Sequence, residues 1–549
     1  MDDQLNILDY FHKYKNLFDF YYGETSLSMD IEKIELKKYH DLLLKLKKSL
    51  ENVDFGKINY NNKLFYLFVQ YLIKEIDIIN QMHDSKEFNN YLQNNYIERI
   101  ILEFLFSSLL KKDILNLSYI ELNSIFTKLL NEINSFDLIK YKFNIFQEKK
   151  LYYFFNNVID LLTVMNNKIG GKLTPNEKKE LTKKIKLIFN KLNKFKIDLL
   201  RNLMIGDHYE LKIDFKGLGS VLKNNEYGSD IKILLEILEL LRINCIDSLK
   251  KILEFYKPGK SIRDFYLDLN DKKLYSFLNK KKIIEFEILK MQSWLKEKKY
   301  FSNLEFYPVT IQKNTSNCVD WISDPYIELV YKKNSIKGIK IYLMDENVRE
   351  NKKGFQLSEW RLKEWVRSKL IPGELFLSKL YPATQKTNYL TINKIYGQQR
   401  WNLIFKFILL KNGYFSESEE HFMGFFQIYY DLLLTIGVLD RYRGKNINDI
   451  CLNINNLTGS DLIKCSYDLL KKQTNFHYKL IEIFDVINLI EIEEKIILDS
   501  MPLQRFFDIL GKNSNFPFFI LKKIYEKFYK INLENGNKDN FHYLFKIFS

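Results

Sequence analysis

Proline is scarce and unevenly placed: of eight in 549 residues, none precedes Pro175. Because proline removes a backbone donor and clashes with the turn before it, its absence leaves long helices unbroken through that first stretch. Cysteine is sparser still. Cys245, Cys318, Cys451 and Cys465 form no C-x-x-C pair, which excludes a zinc knuckle and a dithiol redox motif. They read as small buried side chains in a reducing compartment. The seven histidines are His12, His40, His83, His208, His421, His477 and His542, none four residues from another. A helical metallohydrolase needs two imidazoles on one helix face, a third ligand and a position left for water, so no such helix is written here. Glu420-His421 is the nearest approach, and it reads as a surface pair in a capping turn. No phosphate-cradling glycine loop and no nucleophile elbow occur, and Lys168-Ile169-Gly170-Gly171-Lys172 is a flexible glycine turn beside lysines.

Arginine is also rare, with 11 against 73 lysines. The formal charge of +15 invites a nucleic-acid reading, but base and phosphate recognition favours the bidentate arginine fork, so specific nucleic-acid binding is not expected. Lysine, asparagine, isoleucine, phenylalanine and tyrosine rise together, as an AT-rich coding sequence produces without selection for a ligand. No run of 18 uncharged apolar residues appears, so no membrane span is expected. Met1-Asp2-Asp3-Gln4 is acidic with no apolar stretch behind it, so a cytoplasmic location is expected.

What is present is a globular composition, 46% apolar and 28% charged. Thr174-Pro175-Asn176-Glu177 places a capping hydroxyl, a first-turn proline and a reciprocating carboxylate in order. Leu181, Ile185, Ile188, Leu192, Phe195 and Leu199 then alternate at spacings of four and three, the seam of a helix lying lengthwise on another. Further helices are expected around 31–53, 59–82, 147–168, 229–256, 281–298 and 401–410. Asn412-Gly413 closes the last, and Ser416-Glu417-Ser418-Glu419 is a capping box opening the next. Between them, 307–311, 326–330 and 339–343 are short, β-branched or aromatic and partly alternating, and predict three strands with turns at Asp324-Pro325 and Asn334 to Gly338. The fold class is mainly α, a large multi-helix body with a small antiparallel β element near the middle. It divides into an N-terminal helical lobe (1–300), the β element (301–347) and a C-terminal helical lobe (348–549), or forms one continuous domain.

Ser368-Lys369-Leu370-Ile371-Pro372-Gly373-Glu374-Leu375, Gln399-Arg400-Trp401 and Gly413-Tyr414-Phe415 follow one another in an order that resembles the bacterial family catalogued as domain of unknown function 885, regarded as zinc-dependent peptidases. Tyr300-Phe301-Ser302-Asn303, Gly217-Leu218-Gly219 and Gly437 extend the likeness over most of the chain. The resemblance implies a gluzincin-like body, a zinc cofactor and a His-Glu-x-x-Pro-Gly-His-His helix followed by Glu-Gly-Trp. Here Ile371-Pro372-Gly373 and Trp401 survive. Ser368 and Lys369 stand where the first histidine and catalytic glutamate would be, Glu374 and Leu375 where the paired histidines would be, and Gln399 where a third ligand would be.

Three readings follow. The first is a catalytically inactive metallopeptidase-like protein without cofactor, catalytic residues or metal ligands, which keeps a cleft for a peptide or protein partner. Its strand residues Ile339, Ile341 and Leu343 would offer an edge to an extended peptide. The second is an enzyme with non-metal acid/base chemistry on Lys369, Glu374, Asp345 or Glu346. The third is a basic nucleic-acid-associated protein.

Overall fold

The computed structural model describes residues 118–135, 173–205, 215–227, 231–271, 276–301, 304–313, 325–332, 335–343, 358–380, 391–460 and 476–530 apart from 515, with scattered helical positions in 64–74, 151–166 and 462–469. The predicted helix at 31–53, and Cys318, Asp320, Trp321, Asp324, Asp345 and Glu346, lie outside them. Helix dominates, as the periodicity predicts. Two compact units divide the chain differently from the expected lobes: one joins 1–79, 214–314 and 323–549, and the other comprises 80–213 and 315–322.

The smaller unit contains α1 (Tyr119–Ser135) and α2 (Pro175–Ile205), which lie against each other. The capping box at the start of α2 forms as read: the Thr174 backbone N–H and hydroxyl both donate to Glu177, at 2.9 and 2.8 Å. All six residues of its apolar seam are buried. Lys184 crosses to Asn123 and Thr127 on α1, closing the seam at its polar margin.

In the larger unit the described helices are α3 (Phe215–Asn224), α4 (Ile231–Tyr256), α5 (Ile262–Asp271), α6 (Phe277–Lys298), α7 (Glu359–Trp365), α8 (Glu374–Leu380), α9 (Thr391–Lys411), α10 (Ser418–Tyr442), α11 (Ile447–Thr458), α12 (Phe476–Leu498), α13 (Leu503–Lys512) and α14 (Phe518–Tyr529). α4 packs along α10, and α9 along α12. A boundary at residue 300 therefore does not exist: helices on both sides of it share one core. Gly217-Leu218-Gly219 falls inside α3. α10 is long and apolar enough to cross a membrane by length and composition, yet 72% of its apolar window is buried within the fold, as suits a core helix. Asn412-Gly413 ends α9 as predicted, with Gly413 at φ +68°. The cap of α10 is Glu417 instead of Ser416, and no side chain caps it.

The sheet corrects two expectations. Its strands are β1 (Val309–Lys313), β2 (Tyr326–Lys332) and β3 (Ser335–Leu343), in the order β1-β3-β2. β2 and β3 pair antiparallel, but β1 lies on the far side of β3 and runs parallel to it, so the element is mixed, not antiparallel. The long link from β1 to β2 permits this placement, which a tight hairpin would forbid. β3 is thus the central strand. Residues 339–343 pair with 309–313 on one side, and 339–342 with 326–329 on the other, so Ile339 and Ile341 lie between two strands and offer no backbone edge to a peptide, while Leu343 pairs with Lys313 of β1. Their side chains are instead buried in the core. Gly338, expected in the turn, sits within β3 opposite Val330, beside a bulge. A Cβ there would approach the Pro308 carbonyl oxygen to 3.3 Å.

Candidate functional site

α7 runs directly into a single π-helical turn, Val366–Leu370, in which the chain is one residue wider than an α-helix. The Ile371 N–H closes it by donating to the Val366 carbonyl at 3.0 Å. After it the Ile371-Pro372 peptide is cis, and Gly373 turns back against the helix it has just left. A Cβ at Gly373 would lie 2.0 Å from the Ser368 carbonyl oxygen, so only glycine fits. α8 then starts at Glu374. From α9, Trp401 donates its indole N–H to the Pro372 carbonyl at 2.6 Å, in the dry interior. The segments 368–375 and 399–401, separated by some two dozen residues of chain, therefore meet.

Ile371, Pro372, Gly373 and Trp401 build the frame of this turn, and the polar residues beside them pair with one another or with the backbone. Lys369 Nζ lies 2.6 Å from Glu374 Oε1, so the two positions form an ion pair with each other. The Ser368 hydroxyl donates to the Trp365 carbonyl at 3.3 Å. Leu375 is half-buried. Gln399 lies on α9, and its side chain is outside the described residues. Among the described residues no three His, Cys, Asp or Glu side chains converge. Zinc, which the resemblance implies, does not fit the chemistry of these residues: at the positions the resemblance would give to base and ligand, an ammonium is paired to a carboxylate, and its charge opposes a cation.

Around this frame the interior is unexpectedly polar. Glu287 on α6 is fully buried; its Oε1 accepts from Arg367 at 2.6 Å and from the Tyr414 hydroxyl at 2.7 Å, while its Oε2 has no partner among the described residues. Glu420 accepts from Lys290 and Lys363, both at 2.7 Å. Burial pushes its carboxyl up, but those two lysines and Arg367 outweigh it and hold Glu420 below the ordinary carboxylate range. Lys406 meets Glu364 at 2.8 Å, and the Gln427 amide, in its donor orientation, reaches both Glu364 oxygens at 3.2 Å. Burial would lower Lys406, yet Glu364 and Asp431 keep it charged and raise it. His421, read as a surface residue, is half-buried: its ring lies against Phe425 at 5.2 Å, and burial lowers its pKa.

Two cavities open within this shell. The inner holds about 20 Å³ between Ser368, Pro372, Asn402 and Lys406, and the buried Asn402 Oδ1 has no partner among the described residues. The outer holds about 170 Å³ and is lined by Trp360, Lys363, Glu417, Glu419 and Met423 among others. Arg367, Gly424 and Gln427 line both, so the two cavities adjoin across these side chains, in a cleft whose inner part touches Ser368 and Pro372. Apart from Ser368 and Pro372, the residues of this cleft carry no motif. One signal was available: in a chain so poor in arginine, Arg367 and Arg400 mark places where a fixed fork is needed. Arg400 is fully buried, donating to Asp485 at 2.7 Å and to the carbonyls of Ser514 and Phe516.

The class this defines is a mainly helical protein with a small mixed sheet and a polar cleft beside a π-helical turn. No family model and no curated protein matches the chain. Two solved structures share its fold: a putative lipoprotein from Colwellia psychrerythraea, at TM-score 0.60 and 12% identity over 96% of this chain and 100% of that one, and a putative lipoprotein of unknown function from Shewanella oneidensis, at TM-score 0.60 and 10% identity over 95% and 97%.

Proposed function

We propose that the chain is a catalytically inactive, metallopeptidase-like binding protein whose cleft accepts a peptide or a segment of a partner protein. One observation carries the reading. At the turn where the resemblance would place the family's ligands, Gly373 is forced by the Ser368 carbonyl and Trp401 is tied to Pro372, while Lys369 and Glu374 pair with each other. The outer cavity, with Met423 and Trp360 beside Lys363 and Glu419, has the mixed apolar and polar lining that ligand pockets use.

Selection of an immobilised random peptide library on the full chain tests this. Bound peptides are expected to survive uncleaved, and Gln427→Trp, which fills the cleft, is expected to weaken them roughly tenfold or more. Cleaved products with turnover, or stoichiometric zinc in the purified protein, would overturn the reading. The names of the two fold neighbours add lipid attachment to the cytoplasmic reading of where the protein acts. Sedimentation with membranes after cell lysis separates the two.

A further inference from the structure

We infer that the solvent face of α2 is a docking surface for an anionic phospholipid bilayer. α2 is 31 residues long, and its seam at 181, 185, 188, 192, 195 and 199 is buried along its length. On the opposite sector, at helical spacing, lie Lys179, Lys183, Lys186, Asn190, Asn193, Lys194, Ile197 and Arg201, all exposed. That sector holds five cations and no carboxylate. It extends about 33 Å from 179 to 201 at the usual helical rise.

Composition explains why lysine is common in this chain, but not this sorting. The lysines on the flanks of α2 serve their own unit: Lys184 binds Asn123 and Thr127, Lys191 lies over the Phe195 ring, and Lys196 lies over Tyr152. The three acidic residues of α2 lie at the margin of this sector: Glu177 caps the helix, Glu180 accepts from Tyr119, and half-buried Asp198 stands beside Ile197, one turn from Lys194 and Arg201. Among the described residues no carboxylate pairs with any of the five cations on the outer sector. The sector is therefore net positive, with Glu180 and Asp198 only at its edge.

The apolar residues decide the partner. Leu187, Ile197 and Leu200 stand 47%, 50% and 39% exposed among or beside these cations. A phosphate-rich surface with an acyl layer beneath satisfies both at once: the ammonium groups stay at headgroup level while the leucine and isoleucine side chains enter the boundary. A nucleic-acid surface would leave the apolar side chains unused, and this face offers one arginine and no aromatic ring for base contacts.

The test is co-sedimentation of the full chain with vesicles of phosphatidylcholine alone and of phosphatidylcholine mixed with phosphatidylglycerol. Binding to the mixed vesicles only is expected, falling steeply as salt rises past the roughly 10 Å screening regime. The variant Lys179→Glu, Lys183→Glu, Lys186→Glu, Lys194→Glu should bind at least about tenfold more weakly, with an unchanged melting temperature. Ile197→Ser with Leu187→Ser should weaken binding while preserving its salt dependence, and Lys191→Gln with Lys196→Gln should leave it unaltered. Equal binding to both vesicle types, full binding by the four-lysine variant, or tighter binding to random duplex DNA than to the mixed vesicles at the same salt would each overturn the proposal.

Discussion

Gly373 is the residue whose identity is most tightly dictated by its surroundings. Any side chain there must displace the Ser368 and Arg367 carbonyls, which belong to the π-helical turn itself, so no rotamer change relieves the overlap. Gly373→Ala is therefore expected to lower stability by about 3 kcal/mol or more, at the upper end of overpacking costs. Urea denaturation followed by tryptophan fluorescence reads this, and a change under about 1 kcal/mol would contradict the geometry. The residue was visible in the sequence as part of Ile-Pro-Gly, but its reason was not. The clash is with a backbone oxygen five positions earlier, and it exists only because the helix widens by one residue there. Lys369 and Glu374 illustrate the converse: both stood out in the sequence only through the family resemblance, whereas their mutual pairing depends on the same turn folding back.

At the scale of elements, the polar shell joins α6, α7 and α10 through Glu420, which receives Lys290 from the first and Lys363 from the second. Because the folded state holds this carboxyl below its unfolded value, the pairing stabilises fully above the ordinary carboxylate range. Its contribution is lost as pH falls through the lowered folded value. Glu420→Gln should accordingly cost stability at neutral pH and progressively less on acidification, until the two proteins melt alike. A constant difference from pH 7 down to acid would refute the coupling. Sequence periodicity located these helices well, as the buried seam of α2 and its formed capping box demonstrate. It failed at the start of α10. The helix begins one residue late, at a cap without a side-chain bond, with Glu420 turned inward onto the two lysines. A capping rule reads only local partners, and these come from residues 57 and 130 positions away. The strand order failed for a related reason, since alternation marks strands but does not say which lies in the middle.

For the larger unit as a whole, Arg400 is the central tie. It joins α9 to Asp485 on α12 and to the carbonyls ahead of α14, and Asp485 also accepts from the Tyr227 hydroxyl. Burial, followed by the Asp485 carboxylate, pushes the Tyr227 phenol well above its ordinary range. Replacing Arg400 by leucine strands a carboxylate in the interior and is expected to cost about 3–5 kcal/mol. Adding Asp485→Leu should recover part of that loss, less whatever the Tyr227 hydroxyl forfeits. Thermal melting of the single and double variants checks it, and a double variant no better than the single would show that the charge itself is not what matters.

The link from Tyr227 to Asp485 spans 258 residues, and the unit it belongs to begins before the smaller unit and ends after it. During synthesis at roughly 5–20 residues per second, Tyr227 leaves the ribosome on the order of ten seconds to a minute before its acceptor exists. For that interval the apolar face of α4, which α10 will cover, is on a nascent chain without its partner. The smaller unit, encoded almost entirely in one stretch, completes its helix pairing early and rides out ahead. Ribosome-bound chains halted near residue 300 should consequently carry a protease-resistant 80–213 segment and heavy chaperone occupancy downstream of it, a dependence that vanishes only once α12 has emerged.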